Sequence, residues 1–193
     1  MIGMLWRTGR RFFRFMLVVL LGYLCQVCVM PYFAVNNVTP SLLFAVTAIV
    51  TVCYGKLRAF WVGGIYGILM ELMLPSITFF NLLMYPVAAI FSALPFADKS
   101  DKRLEYERSL NKKAQNINPY LRTVLCAGLN TLIYEGINLV YVNLGGSALT
   151  ATHVSRALTD LGMTMLTAAV LMLPLRRYLG YGRKQLQAAA AKQ

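Results

Sequence analysis

The feature that most constrains the fold is an apolar segment, residues 55–74, which carries glycines and one carboxylate at four-residue spacing. On a helix, Gly63, Gly67 and Glu71 share one face, because side chains four residues apart stack above each other. Inside a bilayer, glycines at this spacing let a second helix backbone approach closely. A carboxylate at the bilayer centre costs roughly 2.5–3.5 kcal/mol, so it needs a protein partner. The segment therefore predicts a tightly packed, central membrane helix.

The rest of the chain is also far more apolar than a soluble protein. Of its 193 residues, 58% are hydrophobic and 13% are charged, whereas a soluble domain carries about 25% charged residues. The net charge of +12 would suggest nucleic acid as the partner of a soluble protein. In a membrane protein it reflects retention of Lys and Arg on the cytoplasmic side. The composition therefore predicts an all-α integral membrane protein that binds no nucleic acid.

The apolar segments predict a bundle of six transmembrane helices in one membrane domain, residues 1–193. These helices cover residues 12–30, 41–54, 59–74, 79–94, 121–141 and 153–173. A charged loop, 95–119, separates the fourth and fifth helices, and a basic tail occupies residues 176–193. The loop is either a solvated linker or a contact for a cytoplasmic partner.

The distribution of Lys and Arg predicts the orientation of this bundle. With the N-terminus in the cytoplasm, the inner segments are the N-terminal arm, the turn at residues 55–58, the charged loop and the tail. They hold 18 of the 19 Lys and Arg when Arg122 is counted with the loop, and the exception is Arg156. We therefore predict a multi-pass membrane protein with both termini cytoplasmic.

Four charged residues inside the predicted helices fall in the outer half of the bilayer in this orientation: Glu71, Glu135, Arg156 and Asp160. Arg156 and Asp160 are four residues apart and can pair directly, and an arginine offers five donors in one plane. We hypothesise that Arg156 is the shared partner of the three acids and holds the third, fifth and sixth helices together. The alternative is that Arg156 only lies at the outer interface.

The residues that usually carry chemistry are sparse. Cys25 and Cys28 have the spacing of a redox or metal pair, but both lie in an apolar helix with no histidine nearby in the sequence. Small free cysteines pack well in such places. The single histidine, His153, stands at a predicted helix end. The sequence therefore predicts no catalytic residue, no metal site and no cofactor.

Residues 39–93 resemble MreD, the membrane subunit of the bacterial rod-shape machinery. The shared pattern is a proline that opens the second helix, a short basic turn, and a helix of Gly-x-x-x-Gly-x-x-x-acid form. Here these positions are Pro40, residues 55–58, Gly63, Gly67 and Glu71. The family usually carries Asp at the last position, where this chain has Glu.

The resemblance implies a non-enzymatic scaffold of the cell-elongation complex, embedded in membrane lipid. The implied partners are a single-span MreC-like protein, the actin-like MreB, and RodA with its penicillin-binding protein. The implied fold is similar to the substrate-binding subunits of energy-coupling-factor vitamin transporters, so a small-molecule uptake subunit is the alternative function. Those subunits dock through small residues at four-residue spacing in the first helix, and the first helix here has no such pair.

Overall fold

The computed structural model describes residues 2–35, 37–73, 79–96, 109–110, 118–146 and 150–179. In this part of the chain the regular secondary structure is helical, which confirms the predicted all-helical class and the six-helix count. The helices are α1 (Ile2–Cys28), a 3-10 helix (Met30–Phe33), α2 (Leu42–Tyr54), α3 (Lys56–Met73), α4 (Phe80–Phe96), α5 (Pro119–Leu144) and α6 (Ala151–Leu179).

The first and last helices are longer than their apolar segments. Helix α1 begins at Ile2 instead of near residue 12, and α6 continues to Leu179 instead of ending near residue 173. Apolar side chains mark the part of a helix that is buried or lipid-facing, whereas backbone hydrogen bonds continue into polar residues until a breaker or a cap. Most of the charged loop and all but the start of the basic tail lie outside the described residues.

Helix α2 is the centre of the bundle. Every residue from Leu42 to Cys53 is buried, and α2 packs against each of the other five helices. A helix that is apolar on all sides is stable only when it is surrounded. Its two threonines are satisfied within the helix, because Thr47 Oγ1 donates to Leu43 O and Thr51 Oγ1 donates to Thr47 O, each at 2.8 Å.

A tight turn connects α2 to α3. Gly55 has a φ of 88°, in the left-handed region where glycine avoids the steric penalty of a side chain. Its N–H donates to Thr51 O at 3.0 Å and so closes the last turn of α2. Helices α2 and α3 therefore form a hairpin, and α3 then makes the most extensive helix contact of the described bundle with α4.

The outward faces of the helices are apolar. Large hydrophobic side chains are exposed on all helices except the buried α2, among them Phe13, Leu21, Trp61, Leu72, Phe91, Leu132, Leu158 and Leu166. Helices α5 and α6 are long and apolar enough, by length and composition, to cross a membrane. The apolar stretches of α1 (Phe12–Cys28), α2 and α4 are shorter, and α2 has only 13 residues.

Candidate functional site

The two predicted packing glycines lie directly against the backbone of α4. A Cβ atom added to Gly63 would lie 2.9 Å from Tyr85 O, and one added to Gly67 would lie 2.8 Å from Asn81 O. Side-chain carbons do not approach backbone oxygens this closely without displacing them. Gly64, one residue along, has no such neighbour within 4 Å. The glycine face is thus the surface of α3 on which the backbone of α4 lies.

A proline in α4 contributes to this close contact. Pro86 has no N–H, so it cannot donate to Leu82 O in the helical pattern. That carbonyl lies 3.3 Å from the position of a Cβ on Gly67, and the Pro86 Cα lies 3.0 Å from the position of a Cβ on Gly63. The glycines therefore make room for both the proline and the carbonyl that it leaves without its usual donor.

Glu71, the third residue of the pattern, caps the start of α4. Its Oε1 accepts from Phe79 N at 2.7 Å and its Oε2 accepts from Asn81 N at 3.0 Å. Phe79 itself has a φ of 65°, a region that non-glycine residues rarely occupy. A carboxylate at a helix N-terminus satisfies orphan N–H groups and complements the helix dipole. The partner of this acid is therefore the backbone of the neighbouring helix.

The start of α2 is capped in the same way by its neighbours. Leu42 N donates to Gln26 Oε1 of α1 at 2.6 Å, and Ser41 N donates to Thr164 Oγ1 of α6 at 2.9 Å. Thr164 Oγ1 in turn donates to Asp160 Oδ1 at 3.1 Å. Side chains from two helices thus hold the N-terminus of the central helix, with the buried Asp160 carboxylate behind them.

Of the four predicted intramembrane charges, Arg156 stands apart, whereas Glu71, Glu135 and Asp160 all lie within electrostatic range of Tyr134. Arg156 is exposed, and it makes no ion pair with the three acids, all of which belong to the described residues. Ser41, at the start of α2, bonds to Thr164. Arg156 lies eight residues before Thr164, about 12 Å further along the axis, beyond the level at which α2 begins. Each acid instead has a polar neighbour that is not a cation, and for Glu135 this is the Asn138 side chain.

An aromatic cluster joins the two capped helix ends. Phe44 of α2 stacks on Tyr85 of α4 with ring centroids 4.7 Å apart, and Tyr134 of α5 lies 5.2 Å from Phe44. The Tyr134 hydroxyl donates to Asn81 Oδ1 at 2.8 Å, and Asn81 N is one of the two donors to the Glu71 carboxylate. The face of α4 that includes Asn81 and Tyr85 is buried.

Arg122 is not part of the charged loop. It lies in the first turns of α5 and is 4% exposed. The sequence contains the signal for this placement, because Asn118 followed by Pro119 is a helix-start pattern. The Asn118 side chain does accept from Tyr120 N at 3.1 Å. The apolar segment alone predicts a helix start near residue 121, whereas α5 begins at Pro119.

A contact between α1 and α3 was not predicted. Tyr66 is fully buried, and its hydroxyl donates to Val19 O at 3.1 Å. A Cβ atom added to Gly22 would lie 2.7 Å from this hydroxyl oxygen. Gly22 therefore provides the space that the tyrosine ring needs, and no periodicity in α1 marks this role.

This contact makes a direct prediction. We expect Gly22→Ala to destabilise the bundle by about 1–3 kcal/mol, because the extra carbon overpacks a rigid, bonded ring. Tyr66→Phe should cost about 1 kcal/mol through the lost hydrogen bond. In the Tyr66→Phe background, Gly22→Ala should cost clearly less, because only the contact with Val46 Cγ2 at 3.2 Å remains tight. The free energies of unfolding of the four proteins in detergent measure this coupling, and an equal cost of Gly22→Ala in both backgrounds would contradict it.

The residues with metal or redox potential are dispersed. Among the described residues, no group of three or more His, Cys, Asp or Glu is arranged to hold a metal ion. Cys25 and Cys28 are free thiols, and Cys28 is exposed. The ring of His153 lies at the start of α6, where its Nδ1 is 2.7 Å from Thr150 Oγ1. These contacts are local and belong to the helix end.

No protein-family model, curated protein or solved structure matches this chain. The resemblance to MreD and the similarity to energy-coupling-factor subunits therefore stay predictions.

Proposed function

We propose that this chain is a non-enzymatic membrane scaffold of the bacterial cell-elongation complex, in the role that the resemblance to MreD implies. The observation that carries the proposal is the contact between α3 and α4. The residues shared with the family pattern, Gly63, Gly67 and Glu71, are those that bring the two backbones together and cap α4. The pattern thus has a physical role in this chain, which is to pack α3 closely against α4.

Location in a membrane is supported by the distribution of apolar surface. Large hydrophobic side chains cover the outward faces, and exposed apolar surface on this scale marks contact with lipid or protein. The short α2 is compatible with a bilayer because it is enclosed by the other helices, and irregular backbone at membrane depth is tolerated where protein surrounds it. The first N–H groups of α2 and α4 are satisfied by side chains.

A scaffold is favoured over an uptake subunit by the packing of the bundle centre. A subunit that carries a vitamin needs an enclosed cavity of a few hundred cubic ångströms with a few polar groups. In this chain α2 and the aromatic cluster fill the middle of the bundle. A rigid interior suits a protein whose outward faces hold other membrane helices in place.

In the proposed complex, both termini are cytoplasmic and the bundle lies in the inner membrane. Its partners are a single-span MreC-like protein, MreB, and RodA with its penicillin-binding protein. No substrate, metal or cofactor takes part in this role.

Depletion of the protein in a rod-shaped bacterium that encodes it tests the proposal. We expect cells to widen and become round, and re-expression of the natural sequence to restore rods. Re-expression of Gly64→Ala, a change on the open side of α3, should restore rods as well. Cells that keep their shape but lose uptake of one vitamin would refute the scaffold role and support the transporter alternative.

A further inference from the structure

A shallow groove lies on the surface between the start of α3 and the second half of α4. It is lined by Lys56, Leu57 and Phe60 of α3 and by Ile90 of α4, and its volume is about 340 Å³. Three of these four side chains are apolar, and Leu57 is 74% exposed. The groove is therefore a strip of hydrocarbon surface with one cation at its end.

The cation is Lys56, the first residue of α3. The other basic residue of the turn is directed elsewhere, because the Arg58 guanidinium lies 4.8 Å from the centroid of the Tyr54 ring. Lys56 is exposed, and none of the described residues that line the groove is acidic. A lysine can lay its alkyl stem along apolar surface while its ammonium stays in water. The groove thus offers a positive charge and an apolar surface to the same ligand.

The aromatic residues beside the groove are those that favour a membrane interface. Phe60 contacts Trp61 with ring centroids 5.8 Å apart, and Trp61 is 63% exposed. Tryptophan concentrates at the level of lipid headgroups, because its ring is apolar and its N–H is polar. The Lys56 end of the groove is therefore expected at headgroup level and the Ile90 end nearer the acyl chains.

We propose that this groove binds an anionic phospholipid. The phosphate of the headgroup pairs with the Lys56 ammonium, and one acyl chain lies over Leu57, Phe60 and Ile90. The proposal rests on the membrane location given under the proposed function, but not on the cell-shape role. A zwitterionic phospholipid has the same phosphate and chains but adds a headgroup cation, so the lysine favours anionic headgroups.

Titration of the full-length chain in mild detergent, with bound lipid counted by native mass spectrometry, tests this site. The probes are dioleoylphosphatidylglycerol and dioleoylphosphatidylcholine. We expect the anionic lipid to bind the natural sequence more tightly. Lys56→Gln should raise its Kd about fivefold, the effect of one basic residue near an anionic headgroup. Ile90→Trp, which fills the groove and leaves the charge, should weaken both lipids.

Arg58→Gln is the matched control, because it removes one charge from the same turn without touching the groove. It should change the Kd of the anionic lipid less than twofold. An Arg58→Gln effect equal to that of Lys56→Gln would overturn the site, and so would equal affinities of the natural sequence for both lipids. Glycerol phosphate should fail to displace the bound lipid. If it displaced the lipid at a concentration similar to that of the lipid itself, the acyl chain would contribute nothing and the lipid site would be refuted. A depletion experiment without any shape defect would refute the scaffold role and leave these lipid measurements standing.

Discussion

Replacement of Gly67 by leucine is expected to prevent α3 and α4 from packing and to remove most of the folded protein. The nearest atoms to the new side chain are backbone atoms of α4, at 2.8 Å for Asn81 O and 3.1 Å for Leu82 Cα. Backbone inside a packed helix cannot rotate away as a side chain can. We expect a loss of about 3 kcal/mol or more, at or above the upper end for overpacking. Unfolding in detergent and accumulation in the membrane fraction both measure this loss.

Gly64→Leu is the matched control for this prediction. It adds the same side chain to the same helix, three residues before Gly67, but a Cβ atom at Gly64 has no neighbour within 4 Å. We expect it to leave the free energy of unfolding within about 0.5 kcal/mol of the natural value, as for most surface substitutions. If leucine had the same effect at both positions, the close approach of α4 would not be what stabilises the contact between α3 and α4.

Glu71→Ala is expected to have the second-largest effect. It removes both oxygens that accept from Phe79 N and Asn81 N, and it leaves the N-terminus of α4 without a negative charge. Hydrogen bonds to charged groups contribute about 1.5–3 kcal/mol each, and a cap is worth about 1 kcal/mol. Because the bond from Phe79 N is exposed to solvent, we expect a net loss in the free energy of unfolding below that sum, about 2–3 kcal/mol. Glu71→Gln, which keeps one acceptor oxygen, should lose about half as much.

The variant Arg156→Ala tests whether Glu71 acts as a helix cap or as one half of an ion pair with Arg156. Arg156 is exposed and makes no ion pair with Glu71, so its removal should change the unfolding free energy by less than about 0.5 kcal/mol. The natural protein and the variants Glu71→Ala, Glu71→Gln and Arg156→Ala can be compared in low and high salt, because salt weakens a surface ion pair. A large effect of Arg156→Ala, matched by that of Glu71→Ala, would mean that the two residues act as a pair.

The glycine face could be predicted from the sequence because it depends on spacing along one helix. Residues 63, 67 and 71 share a face of any regular α-helix, and an apolar chain that places two glycines there leaves space for a neighbour. Which helix lies against this face is decided by the tertiary structure. Helix α4 lies against the glycines since the α3–α4 connection is short and both helices are apolar, and the backbone contacts at Tyr85 and Asn81 follow from it.

The partners of the carboxylates could not be predicted from spacing. Arg156 and Asp160 have the separation of a helical ion pair, yet one is exposed and the other is 8% exposed. Which residues of α6 are covered depends on where α2 begins, near Thr164. Within the part of the chain that the structure describes, Glu71 accepts hydrogen bonds from backbone N–H groups and Asp160 accepts one from a polar side chain.

The sequence by itself determined the helical class, the six long helices of the described residues, the turn at Gly55 and the face of α3 that accepts another backbone. These properties depend on local composition and periodicity, which each segment carries on its own. Only the tertiary structure decided that α2 is central, that Glu71 and Gln26 cap neighbouring helices, that Gly22 makes room for Tyr66, and that Arg122 is buried. Such contacts join residues far apart in the chain, and their energies depend on the relative positions of whole helices.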